Sequence, residues 1–124
     1  MQQVLLIAVG GALGAVMRYW TSTTVHQWLG RDFPYGTLVV NVLGSLAIGA
    51  LYVLLVERVT TAPELRALLL IGFLGAFTTF STFSIETLQL LEEGAVLRAS
   101  LNMAISVMAC VAAAWLGVIA GRSL

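Results

Sequence analysis

The sequence predicts an all-α integral membrane protein with four transmembrane helices, forming a single domain over residues 1–124. Three observations carry that prediction. Of the 124 residues, 60% are hydrophobic and only 10% charged, an apolar balance that soluble domains do not show. Mean hydropathy is +0.99. The charges are also segregated: apart from Arg18, residues 1–30 carry none, and neither do 37–56, 67–85 or 99–121. A helix rising 1.5 Å per residue needs about 20 residues to cross a hydrocarbon core of about 30 Å. The expected spans are 3–27, 36–56, 65–91 and 99–121. An outer-membrane barrel would instead alternate polar and apolar residues with period two, which these continuous apolar runs do not.

The first run reads as a retained span and not as a signal peptide. It has no basic start, and Arg18, Tyr19 and Trp20 stand where a small-residue cleavage site would be needed. Gly10 and Gly14 form a small-xxx-small pair suited to close helix contact. Arg18 reads as an interfacial anchor beside Tyr19 and Trp20, or as a functional charge. The single His26, beside Trp28, reads as an interfacial residue.

In the second span Thr37, Asn41 and Ser45 are spaced by four and share one helix face. Asn41 alone is more often an interhelical hydrogen-bond anchor than a pore residue. The fourth span repeats the spacing with Asn102, Ser106 and Cys110, and carries Gly117 and Gly121 as a second small pair.

The third span holds the most unusual stretch, GFLGAFTTFSTFSIE (Gly72–Glu86). Five hydroxyls, Thr78, Thr79, Ser81, Thr82 and Ser84, stand among its phenylalanines, and no charge appears before Glu86. On a continuous helix Phe73, Phe77, Phe80 and Phe83 fall in one broad stripe, with Gly75, Thr78 and Thr82 opposite. Hydroxyls left unpaired in hydrocarbon are costly, so this span is expected to be central. A local break fits as well, since irregular backbone at bilayer depth is tolerated where protein or a cavity surrounds it.

The loops, roughly 31–34, 57–64 and 92–98, are short. With four spans, Arg58, Arg66 and Arg122 lie on one side; Arg31 and Arg98 lie on the other, joined by Arg18 if it snorkels that way. There is no lysine. A count of three against three gives almost no orientation bias, which suits insertion both ways and antiparallel pairing. A four-span chain this small can hardly enclose a path alone, so a homodimer is expected.

Cys110 is the only cysteine, which excludes an intramolecular disulfide and a cysteine metal cluster. No phosphate loop, metal-ligand set or nucleophile–base pair is present, which argues against an enzyme, and no nucleic-acid partner is expected. No carboxylate precedes Asp32, whereas a cation carrier would place one inside the bundle. The interior offers amide and hydroxyl donors with aromatic edges, whose potential is positive. That chemistry suits a small anion. Moving a bare ion to low dielectric costs of order 20 kcal/mol, so strong donors or retained water are also needed. Composition does not select fluoride over chloride.

The stretches GGALGAVMRY (Gly10–Tyr19), GTLVVNVLGS around Asn41, and GFLGAFTTFSTFSIE together resemble the Fluc, or CrcB-type, fluoride channel family over essentially the whole chain. The resemblance implies an antiparallel dual-topology homodimer with two fluoride pores, each built from both subunits. It implies a passive, selective channel exporting fluoride across a bacterial inner membrane and conferring resistance. Carried over residue by residue, Phe80 and Phe83 line the pores with Asn41, Thr37, Thr79, Ser106 and Cys110, and Arg18 stands at a vestibule. Cys110 replaces the hydroxyl the family pattern expects. The resemblance also implies a structural sodium ion at the dimer centre, held by backbone carbonyls of Gly75 and Thr78. Glu86 is given no firm role.

Two other readings remain at this stage. A small multidrug-resistance transporter shares size and topology but needs a glutamate in its first span, which is absent here. A non-transport assembly subunit would explain the glycines but not the aligned polar stripes.

Overall fold

The computed structural model of the chain describes residues 1–59 and 62–124. Thr60 and Thr61, inside the second predicted loop, lie outside the described residues. All described regular structure is helical, in the order α1 (Gln2–Leu29), α2 (Tyr35–Tyr52) continuing as the wider-turned π1 (Val53–Arg58), then α3 (Pro63–Leu65), π2 (Arg66–Leu74), α4 (Gly75–Phe77), α5 (Phe80–Glu92) and α6 (Val96–Ser123). Four helical stretches are long and apolar enough to cross a membrane: Gln2–Leu29, Tyr35–Arg58, Pro63–Glu92 and Val96–Ser123. The first and last, at 28 residues each, reach about 42 Å and overrun the hydrocarbon at their ends.

The helix ends follow local chemistry. Gly30 adopts φ +84° just past α1. Gly94, at φ +80°, closes α5: its N–H reaches the Leu91 carbonyl at 3.0 Å while the Ala95 N–H reaches Leu90 at 2.8 Å. That paired closure needs the left-handed conformation which glycine adopts without strain.

Glycine also decides which helices meet. α1 packs chiefly on π2, and α2 chiefly on α6. A Cβ on Gly10 would collide with the Leu68 carbonyl oxygen and come within 2.9 Å of the Phe73 nitrogen; on Gly14 it would strike the Phe73 carbonyl. Gly72 faces α1 in return, its missing Cβ lying 2.8 Å from the Ile7 oxygen. The second seam works the same way, Gly49 against the Ala114 carbonyl and Gly117 against that of Leu46. In lipid, where apolar burial gives no drive for one helix to seek another, such backbone proximity is what holds helices together.

The buried core is thin: Val40, Val53, Ala67, Leu74, Phe77, Ala99 and Ala113 among apolar residues, with Thr37, Thr87, Asn102 and Ser106 among polar ones. Most of each span's apolar surface is exposed on the single chain, a face for lipid or for a second protein surface.

Candidate functional site

Between Phe77 and Phe80 the third span leaves the helical path. Thr78 (φ −84°, ψ 157°) and Thr79 (φ −152°, ψ 118°) are both extended. A single phenylalanine stripe therefore does not form. Phe73 and Phe77 stack on one side of the break, centroids 6.0 Å apart and planes within 9°. Phe80 and Phe83 form a separate tilted pair at 5.3 Å and 45°.

The sequence supplies the groups that satisfy the break. The Thr78 hydroxyl donates to the Leu74 carbonyl at 3.0 Å. Thr79 caps α5, its Oγ1 accepting from the Thr82 N–H at 3.2 Å, as hydroxyl residues do at helix starts. Two other spans contribute. The Asn41 amide pairs with both backbone groups of Thr79, accepting from its N–H at 2.8 Å and donating to its carbonyl at 3.0 Å. Arg18 Nε donates to the Ala76 carbonyl at 2.9 Å. None of these donors reaches the carbonyls of Gly75 or Thr78.

Arg18 thus turns toward the break, about three helical turns before the end of α1, and does not snorkel to the loop. The remaining cations sort by end. Arg98 reaches the Asp32 carbonyl and, with Arg31, faces the first-loop end. Arg58 donates to the Arg122 carbonyl, and Arg122 bonds Glu57 at 3.1 Å, at the opposite end. Arg18 is therefore not one of the end charges.

A cleft of about 410 Å³ opens beside the break. Asn41 and Ser45 of α2, Gly75, Thr78 and Thr79 at the break, Phe80 and Phe83 of α5, and Ser106 and Cys110 of α6 meet on its wall. Six of the sequence-derived pore residues are thus brought together, Thr37 excepted, and the two residues of the expected cation site stand with them. Among the described residues the wall carries no charged side chain. Phe80, 70% exposed, faces outward from the single chain.

Thr37 sits one turn from Asn41, outside the cleft, and its hydroxyl donates to Glu86 Oε1. Glu86 in turn lines a second, polar hollow of about 300 Å³ at the first-loop end, shared with His26, Arg31, Asp32, Glu93 and Arg98. Sequence reasoning left Glu86 without a role. Its spacing of three from Phe83, itself three from Phe80, was the available signal, because it puts all three on one side of α5. Thr87 was also missed. It is buried, donates to the Phe83 carbonyl at 2.7 Å and accepts from Asn102 at 2.8 Å.

Chemically, the cleft offers amide and hydroxyl groups, two phenyl rings and a thiol, with no charged side chain on its wall. Such a surface can replace part of an anion's hydration shell without holding it by a full opposite charge.

Comparison with known proteins adds to this. Residues 5–118 match the family described as CrcB-like protein, Camphor Resistance (CrcB). A relative in Methylococcus capsulatus, named fluoride-specific ion channel FluC, is 55% identical over 95% of the chain; the chain spans only 52% of that protein's length. Proteins of the same name are 53% identical in Magnetococcus marinus, over 97% of the chain and 98% of the relative, and 49% identical in Geotalea uraniireducens, over the full length of both.

Proposed function

The chain belongs to the CrcB-like protein family, and we propose from that membership and from the chemistry of the cleft that it is a fluoride-selective ion channel, a passive multi-pass membrane protein and not an enzyme. The observation that carries the reading is the convergence of Asn41, Thr79, Ser106 and the Phe80–Phe83 pair on one uncharged cleft. Fluoride is small and gains most from short O–H and N–H contacts, because charge-assisted hydrogen bonds strengthen as the donor approaches. A permeant ion must also leave, and neutral donors hold it less tightly than a guanidinium would.

The route we infer runs along α5 from the cleft, past Phe83 and the Thr37–Glu86 pair, to the polar hollow at the first-loop end. Charges of both signs line that hollow, Arg31 and Arg98 with Asp32, Glu86 and Glu93. Ions entering there stay hydrated until they reach the uncharged donors inside.

The working unit we propose is an antiparallel homodimer with two pores, protecting the cell from fluoride. Three features support it: the cleft is open along one side, Phe80 and Gly75 are exposed, and the end charges are nearly balanced, with Arg31 and Arg98 against Arg58, Arg66 and Arg122. A sodium ion at the dimer centre would be held by the Gly75 and Thr78 carbonyls. These residues fit the group: the extended ψ of Thr78 turns its carbonyl off the helical path, and a Cβ on Gly75 would meet nothing closer than the Leu70 oxygen at 3.8 Å. Unwound backbone carbonyls are the usual cation ligands in membrane interiors. Bound there, sodium would offset the carbonyl dipoles that two facing breaks bring together.

The test is efflux from liposomes containing the purified protein, loaded with fluoride or with chloride, the voltage being collapsed by a potassium ionophore. Rapid fluoride release without chloride release is the expected outcome. Failure of fluoride to leave vesicles that contain folded protein would overturn the reading.

A further inference from the structure

The donor directions around Ser106 can be followed from a group that allows only one choice. The Phe83 carbonyl can only accept, so the Thr87 hydroxyl, 2.7 Å away, must donate to it. A hydroxyl has one hydrogen. Thr87 Oγ1 can therefore only accept from Asn102, whose amide nitrogen lies 2.8 Å away. That fixes which end of the Asn102 amide carries nitrogen. Its Oδ1 then faces Ser106, and the Ser106 hydroxyl donates to it across 3.3 Å. Asn102 is 1% exposed and Ser106 7%, so these bonds are largely shielded on the single chain. Ser106 lines the cleft while Asn102 and Thr87 do not.

We propose that Asn102, oriented by Thr87, is a positioning residue that sets the strength with which Ser106 holds a passing anion. The proposal rests on the reading of the cleft as a conduction path. At rest the Ser106 hydrogen is engaged by Asn102 and only oxygen lone pairs face the cleft. To contact an anion the hydroxyl must rotate away from Asn102 and give up that bond. When the ion moves on, Asn102 Oδ1 takes the hydrogen back. Each contact is thereby weakened by the bond exchanged for it, which favours release.

Thr87→Val tests this without touching the cleft wall. Valine keeps the shape and removes the acceptor, stranding the Asn102 amide hydrogens in a buried site. Turning the amide over exchanges stranded N–H groups for a stranded oxygen, which is tolerated more readily, so its nitrogen comes to face Ser106. The serine oxygen accepts from it, and the serine hydrogen is released into the cleft at all times. Ions bind more tightly and leave more slowly.

The measurement is the fluoride dependence of efflux from liposomes for wild type, Thr87→Val, Thr87→Ser, Ser106→Ala and the double variant Thr87→Val/Ser106→Ala. Each is first shown to be monodisperse at the wild-type size in detergent. Thr87→Val is expected to lower both the half-saturating fluoride concentration and the maximal rate about fivefold, the worth of one typical hydrogen bond. Thr87→Ser should restore both. In the Ser106→Ala background Thr87→Val should have no further effect. A Thr87→Val change that persists undiminished in that background overturns the proposal, because Thr87 would then act elsewhere, through Phe83 for example. A rise in half-saturation, or wild-type behaviour of Thr87→Val beside a defective Ser106→Ala, overturns the relay and leaves Ser106 on the path. Wild-type behaviour of Ser106→Ala, with fluoride still selective, removes Ser106 from the path and the relay with it, while the channel reading itself stands.

Discussion

Replacing Asn41 by leucine separates two roles that meet in one side chain. Leucine keeps the branched skeleton of asparagine, with bulkier methyl ends, but offers neither donor nor acceptor. The Thr79 N–H and carbonyl, now paired with Asn41 at 2.8 and 3.0 Å, both lose their partner. Backbone at a break has no helical neighbour to turn to, and each bond is worth about 1 kcal/mol net. Intramembrane bonds average somewhat less, since competing partners exist in lipid. The partly buried setting of both residues argues against the upper range. Asn41→Leu should cost about 2 kcal/mol, roughly a thirtyfold shift in the folding equilibrium. The assay is reversible SDS titration of the protein in mixed micelles, followed by far-ultraviolet circular dichroism. Asn41→Asp is the informative companion: its carboxylate still accepts from the Thr79 N–H, but it sets an oxygen against the Thr79 carbonyl and buries a charge, so it should be no more stable than Asn41→Leu. If Asn41→Leu unfolds at the wild-type SDS fraction, the paired amide does not support the break. A flux defect would then have to come from the cleft alone.

Other outcomes follow from particular contacts. Phe80→Ile and Phe83→Ile should leave assembly intact and abolish fluoride efflux, because they remove the tilted aromatic edges without opening the seams; unchanged flux in both would take these rings out of the mechanism. Gly49→Ala should destabilise by about 1–3 kcal/mol, the usual cost of overpacking, since its Cβ would strike the Ala114 carbonyl, and SDS titration reads this directly. Gly75→Ala should leave the single-chain fold unchanged, its Cβ meeting only the Leu70 oxygen in ordinary contact at 3.8 Å, and should act instead on dimer assembly and on the sodium dependence of flux, measured by size-exclusion chromatography and by efflux with sodium replaced. Arg18→Lys keeps the charge but loses the Nε–H held by the Ala76 carbonyl at 2.9 Å; an SDS midpoint lower by about 1 kcal/mol is expected, and an unchanged midpoint would confine Arg18 to an electrostatic role.

The sequence alone determined the class of the molecule. Four uncharged runs of spanning length leave few alternatives, because hydrocarbon thickness and helix rise are both fixed. It also marked the residues that gather at the cleft, since four-residue spacing puts Asn41 with Ser45 and Ser106 with Cys110 on single helix faces whatever the tertiary arrangement. The small-residue pairs were readable as packing sites for a similar reason: a missing Cβ is a local property. Which seam each glycine serves was not local. Only the assembled bundle pairs Gly10 with Gly72, sets Gly14 against Phe73, and pairs Gly49 with Gly117. The continuous phenylalanine stripe failed because helical periodicity assumes helical backbone throughout. Thr78 and Thr79 are extended, and the groups that make this tolerable, Asn41 and Arg18, come from 38 and 58 residues away. Arg18 could not be placed for the same reason. A long flexible side chain can reach a lipid interface or a protein carbonyl, and only the position of Ala76 decides between them. The partners of Glu86 and the donor order through Thr87, Asn102 and Ser106 likewise depend on which helices lie side by side. Hydrogen bonds act over about 3 Å, and no one-dimensional pattern records that distance.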